Sequence, residues 1–251
     1  MTTALEIGLF FLLGLAIGSF LNLCIDRLPV GKSVIRPPSQ CDACQQRLKA
    51  RDLVPLFSFL WLRGRCRYCS AHIPIRLPAV ELATALLSAS LCWHYGLGSQ
   101  LVMALLYACL FLVILVIDLE HGLVLDIVVY PGIAMALIFS FFWPDLGIAM
   151  AIAGAAVGFG MILIPYLIYR GGMGGGDVKL AALIGLATGF PHVFISLLLA
   201  FFAGGLVAVF LLLFGVKKRK QAIPFAPFLA AAAMVTLVWG ETIYDWWVGL
   251  A

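Results

Sequence analysis

The sequence predicts an all-α membrane protein with about eight transmembrane helices and a small, zinc-ribbon-like insertion between the first helix and the second. Of its 251 residues, 64% are hydrophobic and only 11% are charged, whereas about a quarter of the residues in a soluble domain are charged. The apolar runs are about 20 residues long and continuous, without the alternation that marks the strands of a membrane barrel. They extend along nearly the whole chain, which excludes a soluble domain held by one anchor.

The first apolar run covers residues 4–25 and predicts a retained transmembrane helix. It contains one charge, Glu6, and the positive charges begin only after it, at Arg27. A cleaved signal peptide has positive charge before its apolar run and a small-residue cleavage site behind it. Because positive charge marks the cytoplasmic side of a membrane helix, we expect the amino terminus outside the cytoplasm.

Residues 26–78 form a polar, basic segment that we expect to be a cytoplasmic domain. Ten of the 16 lysines and arginines lie between Arg27 and Arg76, and only Asp26, Asp42 and Asp52 oppose them. A nucleic-acid-binding patch is the alternative explanation of such a segment. The segment is short, tethered to the membrane at both ends and interrupted by prolines and cysteines, so we expect no nucleic-acid partner.

Four cysteines in this segment predict a structural zinc site. Cys41 and Cys44 form one C-x2-C pair, Cys66 and Cys69 form another, and 21 residues separate the pairs. Two such pairs supply four thiolates to a tetrahedral metal and leave no open position for catalysis. The nearby arginines (Arg47, Arg63, Arg65, Arg67) are expected to favour the ionised thiolates. Two disulfides are the alternative, which a reducing cytoplasm disfavours.

Seven further apolar runs predict the remaining helices, at residues 79–97, 100–118, 127–143, 146–169, 178–190, 193–215 and 226–249. The run 178–190 is short, about 20 Å as a helix against a hydrocarbon core of about 30 Å. Its crossing is nevertheless expected, because Arg170, Lys179 and the block Lys217–Lys220 then all lie in the cytoplasm. The predicted domains are the first transmembrane helix, 1–25, the four-cysteine domain, 26–78, and a transmembrane domain, 79–251. Glycines within Gly154–Gly160 predict a face for close helix packing.

Two aspartates are the candidate catalytic residues, because carboxylates at the edge of a bilayer are costly and usually functional. Asp118 ends the apolar run 110–117, and Asp177 follows the glycines Gly174, Gly175 and Gly176. Peptide hydrolysis by aspartates needs one ionised and one protonated carboxyl, which a close pair provides because both cannot ionise together. The glycines, with Gly171 and Gly172, allow a substrate strand to approach the backbone.

Other interpretations of these residues remain open at this stage. Asp177 could cap a helix that begins at Val178, and Asp126 or Glu120 could replace Asp118 in the pair. Lys179 could orient the Asp177 loop or simply extend its charge toward water. Paired carboxylates could also relay protons in a transporter.

A series of motifs spanning nearly the full chain resembles one known family, the bacterial type IV prepilin peptidases. The motifs, in chain order, are GSFLN at 18–22 with RLP at 27–29, the two cysteine pairs, DLVP at 52–55, RGRC at 63–66, RLPAVE at 76–81, Asp118, and GGGDVKL at 174–180. The last of these resembles the motif of the GxGD-type aspartic peptidases.

The resemblance implies a bifunctional enzyme of the bacterial inner membrane, active at the cytoplasmic side. It implies cleavage of the leader of prepilins or pseudopilins after a glycine, with Asp118 and Asp177 as the catalytic pair. It also implies methylation of the new amino terminus, usually a phenylalanine, by S-adenosylmethionine. Such substrates belong to type IV pili, type II secretion systems or DNA-uptake machinery. A peptidase without the methyltransferase is an alternative, which the complete set of cysteines disfavours.

Overall fold

The computed structural model describes residues 3–143, 146–168, 174–215 and 224–249. Several residues named in the sequence analysis lie outside these ranges: Gly171 and Gly172, and also Arg170 and the basic block Lys217–Lys220, which contribute to the predicted topology. The chain forms two compact units, Met1–Cys109 and Leu110–Ala251.

The described residues form nine α-helices, a 3₁₀ turn at Ala50–Asp52 and two isolated β-bridges. The helices are α1 (Ala4–Arg27), α2 (Phe57–Trp61), α3 (Arg76–Tyr95), α4 (Ser99–His121), α5 (Asp126–Phe139), α6 (Gly147–Ile168), α7 (Gly175–Thr188), α8 (His192–Leu213) and α9 (Ala226–Val248). The predicted all-α class is confirmed, and each of the eight predicted apolar runs coincides with one helix.

Five of these helices, α1, α4, α6, α8 and α9, are long and apolar enough to cross a membrane. Helices α5 and α7 have 14 residues each, about 21 Å, which is shorter than the hydrocarbon core. A multi-pass membrane protein is therefore supported, whereas the count of eight spans stays a prediction.

The single charge in the first apolar run caps helix α1. The Glu6 carboxylate accepts a hydrogen bond from the Thr3 N–H (2.8 Å), and the Thr3 hydroxyl accepts one from the Glu6 N–H (3.3 Å). This reciprocal pair satisfies two donors that the start of a helix leaves free. Glu6 is thus explained by helix capping.

In the first unit, α1 packs against α3 through two glycines one turn apart. A methyl group added to Gly14 would lie 2.6 Å from the Ala85 Cα, and one added to Gly18 would lie 2.7 Å from the Glu81 Cα. Only glycine allows backbones this close, as in the small-residue contacts of membrane helices. The spacing Gly14-x3-Gly18 therefore predicts a close helix contact, which the sequence analysis missed.

In the second unit, α7 is the central helix and packs against α5, α6, α8 and α9. It is apolar around its circumference, as expected of a helix enclosed by others. Gly154 of α6 and Gly185 of α7 are so close that a methyl group on either would lie within 2.3 Å of the other's carbonyl oxygen. The predicted packing face is confirmed for Gly154 and Gly158, whereas Gly160 has no neighbour within 4 Å and lies outside the contact.

Candidate active site and candidate metal centre

Asp118 lies in the last turn of α4 and is buried, with 5% of its surface exposed. The helix ends directly after it, at Gly122, whose backbone has φ +64° and whose N–H donates to the Asp118 carbonyl (2.9 Å). A carboxylate is electrostatically unfavourable at this end of a helix. The placement therefore does not serve the stability of α4.

The carboxyl of Asp118 has one satisfied oxygen and one free oxygen. The backbone N–H of Ala226, at the start of α9, donates to the carboxylate. Oδ2 is buried and has no hydrogen-bond partner among the described residues. A buried carboxylate oxygen without a partner is costly, so this atom is available for a water molecule or a substrate. Nothing in the sequence marked Ala226 as a contact of Asp118.

Asp177 lies in the first turn of α7 and is also buried, with 7% exposed. Its Oδ2 accepts a hydrogen bond from the Gly174 N–H (3.2 Å), and its own N–H donates to the Gly174 carbonyl (3.1 Å). The suggestion that Asp177 caps a helix starting at Val178 was wrong in position, since the helix starts at Gly175 with Gly174 as the N-cap. The side chain does bind the N-cap backbone, but from inside the first turn.

The two aspartates share one buried environment in the second unit. The charge of Asp118 is close enough to act on the Asp177 carboxyl electrostatically. Two carboxyl groups that interact in this way favour a state with one proton between them. Asp118 and Asp177, the pair that the sequence analysis selected, are thus near enough to interact electrostatically, and their role as a catalytic pair stays a prediction.

Asp126, one of the competing acids, is bound elsewhere. Both its carboxylate oxygens accept from the Lys179 Nζ, at 2.8 and 2.9 Å, and Lys179 also lies over the Tyr130 ring, 5.2 Å from its centroid. The ion pair joins the start of α5 to the first turns of α7, where Asp177 lies. Lys179 therefore links two elements of the site, in agreement with the orienting interpretation. The other competing acid, Glu120, is exposed.

The glycines before Asp177 are in close contact with their neighbours. A methyl group on Gly176 would lie 2.6 Å from the Val124 Cβ, in the connection between α4 and α5. One on Gly175 would lie 3.7 Å from the Tyr166 hydroxyl oxygen, and one on Gly174 3.6 Å from the Asp177 Oδ2. Close packing against Val124 thus requires a glycine at position 176. The sequence analysis had explained this glycine by substrate access alone.

The four predicted metal ligands come together in the first unit. The Sγ atoms of Cys41, Cys44, Cys66 and Cys69 all lie within 4.8 Å of one another, and those of Cys41 and Cys69 are 3.8 Å apart. Four thiolates at 2.3 Å from one tetrahedral ion are separated by about 3.8 Å. The cluster therefore has the size and the donor set for a single metal ion.

The two cysteine pairs have the same local structure. In each, the N–H of the residue after the second cysteine donates to the carbonyl of the first, from Gln45 to Cys41 (2.8 Å) and from Ser70 to Cys66 (3.0 Å). Gln45 and Ser70 adopt φ +57° and +58°. One isolated β-bridge closes each turn, Gln40 with Arg47 and Arg65 with His72. Each C-x2-C pair thus forms its own rigid turn, and the two turns meet at the four sulfur atoms.

Backbone donors, not arginines, favour the thiolate of Cys66. The N–H groups of Tyr68 and Cys69 lower the pKa of the Cys66 thiol to about 7. Arg67, expected to act on the cysteines, instead donates to Asp52 (2.6 Å). Burial alone would raise the pKa of the Asp52 carboxyl, but hydrogen bonds from Arg67, the Lys49 N–H and Tyr68 lower it. The predicted role of Arg67 was therefore wrong, because its guanidinium is already paired.

Comparison with known proteins finds matches to one peptidase family in both units. Residues 12–95 match the bacterial peptidase A24 N-terminal domain, and residues 104–209 match the type IV leader peptidase family. A prepilin leader peptidase/N-methyltransferase of Pseudomonas putida is 35% identical over 97% of this chain and 94% of its own length.

Proteins of the same name from Bacillus subtilis and Legionella pneumophila are 31% and 33% identical over 98% of this chain, and 99% and 94% of their own lengths are covered. No solved structure matches the chain. Nothing in these comparisons favours a transporter or a peptidase without a methyltransferase. With relatives that it matches almost from end to end, the chain belongs to the family of prepilin leader peptidase/N-methyltransferases.

Proposed function

We propose that this protein cleaves the leader peptides of prepilins or pseudopilins with Asp118 and Asp177, and then methylates the new amino terminus. The observation that carries the peptidase proposal is the buried carboxyl pair with a free oxygen on Asp118. The relatives' shared name supports both activities.

The carboxyl pair suits hydrolysis of a peptide bond. The ionised member takes a proton from a water molecule, and the protonated member donates a hydrogen bond to the scissile carbonyl oxygen. The water oxygen forms a bond to the carbonyl carbon, and the amine then leaves with a proton from the pair. The Ala226 N–H, the Gly174 N–H and the Lys179–Asp126 ion pair hold the two side chains in place.

The cysteine cluster suits a structural zinc ion. Cys41, Cys44, Cys66 and Cys69 would hold the ion and so fix the fold of residues 26–78, in which almost none of the large apolar side chains is fully buried. S-adenosylmethionine supplies a methyl group on a sulfonium ion. The protein must present the new amine in its neutral form and accept the proton that the amine loses.

We also propose that the protein lies in the bacterial inner membrane with its active site on the cytoplasmic side. Residues 26–78 carry the basic charge expected of the cytoplasmic face, and 79–251 form the transmembrane peptidase domain. The apolar helix of a prepilin would lie in the bilayer with its leader in the cytoplasm, beside aspartates at the membrane boundary.

Mass spectrometry of a prepilin incubated with purified enzyme and S-adenosylmethionine tests both activities. We expect loss of the leader and gain of one methyl group. Asp118→Asn and Asp177→Asn should each abolish cleavage, whereas the matched change Asp245→Asn, at an exposed aspartate of α9, should not. Cleavage that survives in both active-site variants would refute the assignment of the pair.

A further inference from the structure

The first unit contains a cavity of about 520 Å³, bounded by α1, α3 and the cysteine-rich segment. Binding sites for small molecules usually have about 300–1,000 Å³ and combine apolar walls with a few polar groups. Phe59, Leu53 and Leu62 contribute apolar surface to this cavity, and Asn22 and Glu81 contribute polar side chains. The aspartate pair lies in the other unit.

The close contact of α1 with α3 places Glu81 at the wall of the cavity. Gly18 allows the Glu81 backbone to approach α1, and the neighbouring Ser19 hydroxyl donates to the Glu81 carboxylate. The Leu56 N–H donates to Glu81 Oε2 (2.8 Å). Glu81 is thus held by one donor from the α1 side and one from the cysteine-rich segment.

The donor from Leu56 depends on an unfavourable backbone conformation. Leu56 has φ +58° and ψ −48°, and the Phe57 N–H donates to the Pro55 carbonyl across it (2.6 Å). This is a γ-turn of the rare, strained kind. Strain of this sort persists where the surrounding structure requires it, often at binding sites. Here the turn directs a backbone N–H at Glu81.

Two acceptors in the cavity wall are incompletely matched among the described residues: the Glu81 carboxylate has hydrogen-bond donors but no cationic partner, and the Asn22 Oδ1 has no hydrogen-bond partner. Among the described residues, no lysine, arginine or histidine forms an ion pair with Glu81. Asn22 is 3% exposed; its Nδ2 donates to the Leu77 carbonyl (2.9 Å), but its Oδ1 is buried without a partner. Of the other acids that line the cavity, Asp52 is paired with Arg67 and Asp26 with Arg76, whereas Asp42 forms no ion pair with a described residue.

The unmatched acceptors and the apolar wall together indicate a cationic ligand with a flat apolar part. S-adenosylmethionine has this chemistry, because its methionine end carries a sulfonium, an ammonium and a carboxylate, with a net positive charge, and its other end is an adenine. The cavity lining includes the cationic side chains of Arg27 and Lys32 as well as Glu81. We propose that this cavity is the S-adenosylmethionine site, with Glu81 and Asn22 contacting the cationic methionine end. This inference rests on the proposed methyltransferase function.

Binding measurements on the full-length, zinc-loaded protein in detergent test the inference by calorimetry. The probes are S-adenosylmethionine, its stable amine analogue sinefungin, and adenosine, which lacks the cationic end. Glu81→Gln keeps an acceptor for the Leu56 N–H but removes the charge. We expect it to weaken the first two probes roughly tenfold to a hundredfold, the range for a hydrogen bond to a charged group, and to leave adenosine binding unchanged.

Glu241→Gln in α9, a matched change at an exposed glutamate, should leave all three affinities at the wild-type value. Equal S-adenosylmethionine affinities for the wild type and Glu81→Gln would overturn the inference and leave the methyltransferase proposal intact. An equal loss for adenosine would also overturn it, because the effect would then be structural. A wild-type protein that binds no S-adenosylmethionine would overturn both proposals.

Discussion

Replacing Gly158 by alanine should impair the peptidase through the packing of α6 against α7. A methyl group on Gly158 would lie 2.3 Å from the Ala181 carbonyl oxygen and 3.0 Å from the Ala181 carbonyl carbon. Real side chains essentially never adopt contacts below 3.0 Å, and both obstructing atoms belong to the backbone. The two helices must therefore separate by about 1 Å to recover ordinary van der Waals distances.

This separation moves Asp177, the proposed catalytic residue, because Ala181 lies one turn beyond Asp177 on the same face of α7. A misplacement of about 1 Å in an active site can cost roughly a hundredfold in rate. Overpacking of this kind also costs about 1–3 kcal/mol of stability. We therefore expect the Gly158→Ala variant to lose between tenfold and about a hundredfold in kcat/KM for leader cleavage and to melt at a lower temperature.

Gly160 provides the matched control on the same helix. It has no neighbour within 4 Å, so Gly160→Ala adds the same methyl group without a clash. Cleavage rates of both variants on one prepilin, with thermal melting in detergent, make the comparison. Wild-type rate and melting temperature for Gly158→Ala would refute the packing argument, as would equal losses for the two variants.

Three further predictions follow from the site. Gly176→Ala should reduce cleavage about tenfold. Adding Val124→Gly should restore part of the rate, because the closest clash is with the Val124 Cβ, which glycine lacks; no recovery in the double variant would contradict this. Asp126→Asn and Lys179→Met should each lower the cleavage rate, and the double variant should lose no more than either single variant. The melting temperature should change little, because the ion pair is partly exposed. Additive losses in rate would show that the two residues act separately. Elemental analysis should find one zinc ion per chain. Removal of the zinc, or the change Cys41→Ser, should abolish methylation and largely spare leader cleavage, since the cysteines and the aspartates lie in different units. A parallel loss of cleavage would count against this division of the two activities.

The all-α class and the four-cysteine cluster were predictable because their signals are local. An apolar run of about 20 residues determines a helix wherever it lies in the fold, and α1, α4, α6, α8 and α9 follow such runs closely. The C-x2-C spacing likewise fixes a turn with its own hydrogen bonds, which both cysteine pairs form. Asp118 and Asp177 were identifiable because an acid beside an apolar run is costly without a function.

The partners of those residues were decided only by the tertiary structure. Nothing local distinguishes Asp126, which binds Lys179, from Asp118, which receives the Ala226 N–H and keeps one oxygen free. Arg67 was assigned to the cysteines by proximity in sequence, but it is paired with Asp52. The Gly18–Glu81 contact and the cavity beside it join segments about 60 residues apart in the chain. The sequence by itself thus determined the helices, the cysteine turns and the candidate acids, because these depend on neighbours along the chain. Packing alone decided which groups are buried, paired or left with a free acceptor, because these depend on residues brought together from distant parts of the chain.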